Sequence, residues 1–421
     1  MLVQRLTTRT ASLPRLTTKR TALYDFHTRE EHGGKMVEFA GWDMPLVYEG
    51  TSRDRVAGGA VAEHHQVRKS AGLFDVGHMV QSTFTGPGAL AFLSHLLPAS
   101  LSSLPVPKSK TESFGSTLSV LLNEEGGIID DCMITRWGED SFYLVTNAGR
   151  ADVDIPWIRS QLEMWQGDKV IFEVMEDSAL IALQGPKAHL ALQCLLPSDL
   201  SLQKLLTFSR SLHLPIPSLS STINSQPVHI VRGGYTGEDG FEISLPNGLA
   251  ADLAGMLLEQ EEVKLAGLAA RDSLRLEAGL CLYGHDLYEG TGVGEAGLGW
   301  VVGKDRRTPG SFIGSERTLR ELKKGGTSRK RVGLIVEKGA PAREGAPIFS
   351  PSSPSGPPIG RVTSGLPSPS LGQNISMAYI STEGEGLNKK GSQVLVEVRK
   401  KLRKAEVVGM PFQPTNYYRG E

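Results

Sequence analysis

The sequence predicts an α+β region followed by a small C-terminal β-barrel or sandwich. Amphipathic helical stretches alternate with short β-like runs from Asp25 to about Phe312. Beyond Arg331, short strand candidates follow at regular intervals and are separated by Gly, Pro and Ser clusters. The length of 421 residues suits about two to four domains. We therefore expect several buried cores.

Residues 1–24 have the composition of a mitochondrial transit peptide. They lack acidic residues and an apolar h-region, and their basic side chains are Arg5, Arg9, Arg15, Lys19 and Arg20. We expect this segment to be removed on import into the mitochondrial matrix, which would change the formal net charge from -1 to -6. The alternative is a basic tail without a targeting role.

The α+β region is predicted to span residues 25–317. Its clearest helical stretches are Arg53–Lys69 and Ala250–Gln260, and its clearest strand candidates are Ser116–Leu122, Ile128–Arg136 and Ser141–Thr146.

A terminal helix and a linker are predicted over residues 318–331, which are rich in charge and contain paired glycines. The C-terminal domain then spans residues 332–421. Its strand candidates are Val332–Val336, Pro347–Ser350, Gly360–Ser364, Ile375–Ile380, Gln393–Val398 and Ala405–Gly409. Pro351–Pro358 is predicted to be a surface loop, because proline cannot donate a hydrogen bond within a central strand.

The composition excludes several classes of function. The 45 basic and 46 acidic residues nearly cancel, which argues against a dedicated nucleic-acid binder. The cysteines Cys132, Cys194 and Cys281 are far apart, so the chain offers neither a disulfide framework nor a cysteine-based zinc or iron–sulfur site of its own. No apolar run reaches the roughly 18 residues of a membrane-spanning helix. We expect neither a nucleic-acid nor a membrane partner.

Two local patterns are interpreted as structural. The G-x-G-x-x-G at residues 292–297 neither follows a strand nor opens a helix, and Leu298–Val302 after it resembles a strand, so we interpret the glycines as turn residues. The neighbouring His64 and His65 would point about 100° apart on a helix. They cannot share a metal, and we expect them on the surface.

Paired carboxylates follow a double-glycine turn in the segment 123–137. Asp130 and Asp131 must point to opposite faces of the predicted strand, so only one can face a pocket, and periodicity does not choose between them. A carboxylate among apolar strand residues is costly to bury without a partner, which makes it a site candidate. The alternative is an aspartate that accepts backbone amides at the end of a hairpin.

Three further clusters carry polar residues where function is common. Arg232–Glu242 is a glycine-rich loop around Glu238, and such loops often carry function. Arg271 lies on a predicted helix, where an ion pair on the helix surface is the alternative to a site role. Near the C-terminus, Tyr417 and Tyr418 diverge, so that one of them could close over a planar ligand.

These clusters occur among motifs that together resemble the mitochondrial aminomethyltransferases, the T-proteins of the glycine cleavage system. In order, the motifs are FAGWDMP, LFDVGHM, GGIIDD, LQGPKA, GYTGEDGFE, AARDSLRLEAGLCLYGHDL and PTNYY. Each is weak alone, but in this order and spacing they are specific, and they cover nearly the whole mature chain.

The resemblance implies two ferredoxin-like α+β domains and a C-terminal β-barrel around a channel that holds tetrahydrofolate. It implies that the methylene carbon of an aminomethyl group on the lipoyl arm of H-protein is moved to tetrahydrofolate. The products would be 5,10-methylenetetrahydrofolate, ammonia and dihydrolipoyl H-protein. Tetrahydrofolate would act as a co-substrate, and neither a metal nor a flavin would be needed.

The resemblance also implies roles for single residues. Asp131 would stabilise positive charge during transfer, and Asn147 would orient polar groups. Glu238 would accept hydrogen bonds from the pterin. Arg271 would bind a folate heteroatom or hold an acidic neighbour, and Tyr417 would line the ligand site.

The sequence departs from the family at Gly77, where serine is usual, and in the segments Ser209–Gln226 and Pro351–Pro358, which we interpret as surface elaborations.

Two other functions share the folate-binding architecture. Iron–sulfur cluster assembly factors carry a K-G-C-Y-x-G-Q-E stretch that is absent here. Dimethylglycine and sarcosine dehydrogenases carry a flavin domain ahead of the folate module, and this chain has no N-terminal Rossmann pattern.

Overall fold

The computed structural model describes residues 18–109, 112–219 and 228–420, which form an α+β body followed by a closed β-barrel. Within these residues the α-helices are α1 (Tyr24–His27), α2 (Ala60–Lys69), α3 (Ala89–Leu96), α4 (Ala151–Met164), α5 (Ala188–Gln193), α6 (Leu202–Leu205), α7 (Ala250–Leu258), α8 (Leu268–Glu277) and α9 (Ser315–Glu321). None of the helices in this part of the chain has the length and apolar character needed to cross a membrane. The predicted fold class is confirmed.

A three-stranded sheet lies at the N-terminal end of the body. Its strands are β1 (Lys19–Arg20), β2 (Gly34–Phe39) and β3 (Trp42–Tyr48), in the order β1-β3-β2. Just after β1, Thr21 and Leu23 are buried, and the Thr21 hydroxyl donates a hydrogen bond of 2.6 Å to Asp75. Residues 1–17 lie outside the described ranges, so the leader stays a prediction. These contacts favour a mature chain that keeps the residues from Lys19 onward.

We expect a chain that starts at residue 25 to be less stable than one that starts at residue 18. The shorter chain loses the buried Leu23 side chain and the charge-assisted hydrogen bond from Thr21 to Asp75. Together these contribute about 3 kcal/mol. Urea unfolding of both chains measures the difference. Equal midpoints would show that the leader boundary at residue 24 is compatible with the fold.

The α+β body is built on one eleven-stranded sheet. Its strands in chain order are β4 (Ala71–Asp75), β5 (Val80–Thr85), β6 (Phe114–Leu122), β7 (Ile128–Arg136), β8 (Ser141–Thr146), β9 (Ile171–Val174), β10 (Ser178–Gln184), β11 (Arg210–Leu214), β12 (Val228–Arg232), β13 (Gly240–Pro246) and β14 (Val263–Leu265). Across the sheet the order is β14-β4-β10-β13-β12-β11-β6-β7-β8-β5-β9.

Pairing of β11 with β6 joins two halves that have separate apolar cores. One core includes Ile181, Ile243 and Leu253, and the other includes Phe92 and Ile134. The body therefore has two apolar cores, and its division into two α+β subdomains stays a prediction.

Several sequence predictions hold and others need correction. The strands Ile128–Arg136 and Ser141–Thr146 are confirmed at both ends. The helix predicted from Arg53 begins only at Ala60, because Gly58 and Gly59 have positive φ angles of 86° and 94°, which a helix does not allow.

The expected strand Leu298–Val302 is wrong. Residues Gly299–Val301 form a short 3₁₀ turn whose neighbours Leu298 and Val302 are buried in an apolar cluster. A short apolar run does not by itself distinguish a strand from a buried turn. Of the preceding glycines, Gly294 and Gly297 are turn residues, as expected, whereas Gly292 forms an isolated bridge with Gly127. The Gly294 N–H donates a hydrogen bond to Glu321.

The interpretation of Ser209–Gln226 as a surface elaboration is also wrong for its first part. Arg210–Leu214 is strand β11 inside the large sheet, and Leu212 and Leu219 are buried. Residues 220–226 lie outside the described ranges. The departure from the family pattern therefore contributes to the core and is not confined to the surface.

The expectation that His64 lies on the surface is wrong as well. His64 is fully buried, and its ring nitrogens lie 2.7 Å from the Ser273 hydroxyl and 2.9 Å from the Ser370 hydroxyl. Ser273 belongs to α8, and Ser370 belongs to the C-terminal domain. These partners are more than 200 residues away in sequence, so helical periodicity could not reveal them.

The C-terminal domain is a closed six-stranded barrel, which decides between the barrel and the sandwich. Its strands are β15 (Arg329–Val336), β16 (Pro347–Phe349), β17 (Gly360–Pro367), β18 (Asn374–Ser381), β19 (Gln393–Val398) and β20 (Lys401–Val408), in the order β15-β18-β17-β16-β19-β20. The loop Pro351–Pro358 is almost entirely exposed, as predicted. Between α9 and β15, residues 322–328 connect the two parts.

A buried polar network holds the barrel against α8. Arg275 donates hydrogen bonds to Asp286 at 2.7 Å and to Ser364 of β17 at 2.9 Å. The Tyr379 hydroxyl of β18 donates to the backbone oxygen of Asp286 at 2.9 Å. Removing one partner of such a buried ion pair costs about 3–5 kcal/mol. The network fixes the barrel beside the helix that carries Arg271.

Candidate functional site

A large cavity lies where the main sheet, α8 and the barrel meet. Its volume is about 1310 Å³. The sheet contributes Asp131 and Glu242 to its wall, α8 contributes Arg271, and the C-terminal segment contributes Tyr417. Ligand pockets commonly measure roughly 300–1,000 Å³, so this cavity has room for more than one drug-sized molecule.

The structure decides which of the paired aspartates faces this cavity. Asp131 lines it, whereas Asp130 is fully buried. The turn before β7 sets this register. Gly126 has a positive φ of 75°, and the Asn123 side chain accepts a hydrogen bond of 2.7 Å from the Gly127 N–H. The hairpin therefore projects Asp131 from β7 into the cavity.

Asn147 bridges the two aspartates from the end of β8. Its side-chain Nδ2 donates to Asp130 Oδ1 at 2.8 Å and to Asp131 Oδ1 at 3.0 Å, and its backbone N–H donates to Asp130 Oδ2 at 2.8 Å. Asp130 thus holds both the backbone and the side-chain amide of Asn147, and the side-chain amide in turn holds the Asp131 carboxyl group. The orienting role of Asn147 stays a prediction, and its position between the two aspartates is compatible with it.

Asp131 lies in an environment that favours its neutral form. Burial raises its pKa to about 7; the charge of Asp130 adds to this effect, and the hydrogen bond from Asn147 opposes it. Burial and Asp154 hold the pKa of Asp130 well above its usual range, and burial raises the pKa of Asp154 to about 7. Three adjacent carboxyl groups cannot all ionise easily. Asp131 is therefore close to its midpoint at neutral pH, where a carboxyl group can accept and release a proton.

Glu242 and Arg271 form a second polar group on the cavity wall. Glu242 is on β13, where it pairs with Ala182 and Val231. Burial raises its pKa, and the nearby positive charge of Arg271 opposes that shift. The Nη1 atom of Arg271 is buried and has no hydrogen-bond partner among the described residues. Its guanidinium lies 4.8 Å from the centre of the Tyr235 ring. The pair offers acceptors and an unused donor to a polar ligand.

Glu238, the expected pterin acceptor, is not part of the cavity wall. Its Oε1 accepts a hydrogen bond of 2.8 Å from Arg68, and its Oε2 accepts one of 2.9 Å from Asn416. The side chain is only 2% exposed. Both carboxylate oxygens therefore hold the C-terminal segment and α2 together. The pterin-binding role expected for Glu238 stays a prediction, and this geometry does not favour it.

Tyr417 lies at the cavity as predicted, and Tyr418 turns elsewhere. The Tyr417 ring stacks on Phe208, with ring centres 4.2 Å apart and planes inclined by 23°. The Tyr418 ring instead lies 4.0 Å from the guanidinium of Arg232. The stack gives the cavity a flat aromatic wall.

Sequence reasoning missed Glu242 and His78. Glu242 stands four residues after Glu238, inside the same motif, but Glu238 lies in the loop before β13 whereas Glu242 lies on the strand itself. His78 lines the cavity, is buried, and forms an edge-to-face contact with Phe39. Burial lowers its pKa to about 4, so the imidazole is neutral at physiological pH. No spacing signal in the sequence marks His78.

Comparison with known proteins agrees with this architecture. Residues 23–306 match the family described as GCVT N-terminal domain, and residues 329–413 match the glycine cleavage T-protein C-terminal barrel domain. A probable mitochondrial aminomethyltransferase of Schizosaccharomyces pombe is 44% identical, with 95% of this chain and 94% of the relative covered. The mitochondrial aminomethyltransferase of Homo sapiens is 42% identical, with 95% and 91% covered.

A solved structure gives the same result. The glycine cleavage system aminomethyltransferase T from Bartonella henselae is 38% identical and superimposes with a TM-score of 0.81, with 95% of this chain and 99% of that chain covered. The fold and the domain order are therefore shared over almost the whole length.

Proposed function

We propose that the cavity of this chain, which belongs to the glycine cleavage T-protein family, binds tetrahydrofolate. The same cavity receives the aminomethyl-loaded lipoyl arm of H-protein. The chain is an aminomethyltransferase and is mitochondrial, like the relatives described above. The observation that carries the proposal is the carboxyl group of Asp131 on the wall of a 1310 Å³ cavity, with a pKa of about 7.

The reaction moves one carbon and releases ammonia. The C–N bond of the S–CH2–NH3+ group breaks, and the electrophilic carbon left on sulfur is attacked by one folate nitrogen. A second folate nitrogen then displaces the sulfur. Of the two N–H protons that the folate loses, one goes to the thiol and one leaves with ammonia as ammonium, so atoms and charge balance.

Asp131 is suited to assist this reaction because positive charge develops on the transferred carbon. A fixed carboxylate stabilises that charge, and a pKa near neutrality allows the same group to move a proton. Asn147 holds the carboxylate in one orientation through the hydrogen bond of 3.0 Å. No covalent bond between enzyme and substrate is needed.

Glu242 takes the role that the resemblance implied for Glu238. The 2-amino group and ring N–H of a pterin present two donors side by side, and one carboxylate can accept both. Arg271 adds an unpaired donor next to Glu242, and Tyr417 with Phe208 adds an aromatic wall for the planar part of the folate. These residue types fit the ligand, whereas the oxygens of Glu238 already have partners.

The size of the cavity supports a reaction with two substrates. A volume of 1310 Å³ exceeds the roughly 300–1,000 Å³ of common ligand pockets. Folate and the end of a lipoyl arm can therefore be present together, as a direct transfer requires.

The decisive experiment follows methylene-tetrahydrofolate formation from loaded, lipoylated H-protein. We expect product only when the chain, tetrahydrofolate and the loaded H-protein are all present. Folate binding without product would instead support the alternative of a folate-binding iron–sulfur cluster assembly factor. An absorbance scan of the purified protein tests directly for a flavin or an iron–sulfur cluster.

Turnover should rise with pH through about 7 and then level off. The raised pKa of Asp131 means that the carboxylate forms only as the pH passes about 7. Below that value the neutral acid cannot stabilise a cation. The measurement is kcat/KM for loaded H-protein between roughly pH 5.5 and 9. A profile that is flat through neutrality would contradict the assigned role.

A further inference from the structure

A second, much smaller cavity adjoins Glu242 on the main sheet. His229 and Glu242 both line it, together with apolar and aromatic side chains that include Tyr143 and Leu180. The space that the centre of a water molecule can occupy there is about 10 Å³. Glu242 also lines the large cavity, so its side chain stands between the two spaces.

The hydrogen bonding of His229 fixes where its proton lies. The indole Nε1–H of Trp137 lies 3.0 Å from His229 Nε2. An indole nitrogen can only donate, so Nε2 must be the acceptor and the imidazole proton is on Nδ1. His229 is 3% exposed, and Nδ1 has no hydrogen-bond partner among the described residues. This leaves a buried N–H donor on a residue that lines the small cavity.

The register of the sheet places His229 near Glu242. In the antiparallel pair β12–β13, His229 is opposite Ser244 and Val231 is opposite Glu242. Paired residues share a face, so His229 and Glu242 are diagonal neighbours on one face. Such neighbours are about 7–8 Å apart, within reach of long side chains. His229 Nε2 is taken by Trp137 and Nδ1 has no direct partner among the described residues, so the spacing leaves room for a bridge of one water.

We propose that one internal water in the small cavity joins the Nδ1–H of His229 to the carboxylate of Glu242, so that His229 positions the carboxylate that recognises folate. The inference rests on the proposed role of Glu242. The water accepts from His229 and donates to Glu242.

The energetics favour this bridge. A buried N–H without a partner is costly, and such groups in folded proteins are almost always paired with protein or with water. About 10–15 Å³ of accessible space holds one water, which needs at least two polar partners. His229 and Glu242 supply both.

The bridge also explains how Glu242 can serve a ligand. One oxygen is held from the side of the small cavity, which leaves the carboxylate oriented toward the large one. Burial keeps the pKa of His229 well below its usual range, so the imidazole stays neutral. A neutral donor orients the carboxylate without neutralising the negative charge that attracts the pterin donors.

The test compares tetrahydrofolate affinity in three proteins. His229→Phe keeps an aromatic ring in the cluster but removes the Nδ1–H donor, and it should weaken folate binding by about five- to tenfold. The matched control is His213→Phe. His213 belongs to the same aromatic cluster, with its ring centre 5.0 Å from that of His229, but it does not line the small cavity. This control should bind folate as the wild type does.

Because His229→Phe leaves the Trp137 indole without its acceptor, the double variant His229→Phe/Trp137→Phe replaces the single variant if the latter does not fold. For a positioning role, KM for folate should rise while kcat at saturation stays within about twofold. A fall in kcat with an unchanged KM for folate would overturn the positioning role of His229.

Two measurements on the wild-type protein test the water bridge independently. A high-resolution crystal structure should show one water within hydrogen-bonding distance of both His229 and Glu242, and nitrogen NMR should show the Nδ1–H tautomer. A dry cavity or the opposite tautomer would overturn the inference. If Glu242→Gln weakens folate binding but His229→Phe does not, only this inference fails. If Glu242→Gln binds normally, the proposed role of Glu242 fails instead.

Discussion

Replacing Asp131 with asparagine should lower turnover by about 10²–10³-fold and leave tetrahydrofolate affinity nearly unchanged. Asparagine has the same shape and can still contact Asn147, but it carries no charge to stabilise the cation that forms during ammonia release. It also cannot take up a proton. Single-turnover assays with loaded H-protein measure the chemical step, and a folate titration measures binding.

Thermal unfolding across pH supplies the control for this variant. The folded-state pKa of Asp131 is raised to about 7, so the folded protein holds this proton more tightly than the unfolded chain does. The stabilisation that results is present at low pH and is lost as the pH rises from about 4 to 7. Asp131→Asn should therefore be more stable than the wild type at pH 8 and equal to it near pH 4.

If the variant were inactive and also unfolded at pH 8, its inactivity could not be assigned to the missing charge of Asp131. If it is folded but inactive, the loss of that charge is the cause. Normal turnover in a folded Asp131→Asn protein would remove the assigned role. We therefore expect the buried, reactive carboxyl group of Asp131 to lower the stability of the folded protein.

The sequence was sufficient for the elements near Asp131 because their determinants are local. The double-glycine turn, the alternating strand after it and the strand Ser141–Thr146 are all specified within about 25 residues. These two strands have the bounds expected, and they bring Asp131 and Asn147 within hydrogen-bonding distance. What periodicity left open was the face of the sheet, since a strand pattern does not say which side the ligand occupies.

The expectations that the structure does not favour depend on contacts between distant residues. Glu238 is paired with Arg68 and Asn416, which are 170 and 178 residues away in sequence, and it does not line the cavity. His64 is buried by partners on α8 and in the C-terminal domain. In both cases a polar residue that looks available along the chain is already paired across the fold, and no local pattern records such a pairing.

The comparison of Glu242→Gln with Glu238→Gln separates ligand recognition from structure. Glu242→Gln should weaken tetrahydrofolate binding by about 10²-fold, because an amide replaces one acceptor with a donor that faces the donors of the pterin. Its unfolding midpoint should change little, since none of the residues that the structure describes forms an ion pair with Glu242 that would hold two elements together. Isothermal titration and urea unfolding of the same preparations measure both effects.

Glu238→Gln should show the reverse. The variant keeps an acceptor for one of its partners but loses the ion pair of 2.8 Å with Arg68 and the charge that also attracts Asn416. Because that pair is nearly buried, we expect about 2–4 kcal/mol of lost stability, with folate affinity within about threefold of the wild type wherever the protein is folded. If Glu238→Gln instead abolished binding at unchanged stability, the carboxylate that recognises folate would be Glu238, and the loop would have to release Arg68 and Asn416 when the ligand enters.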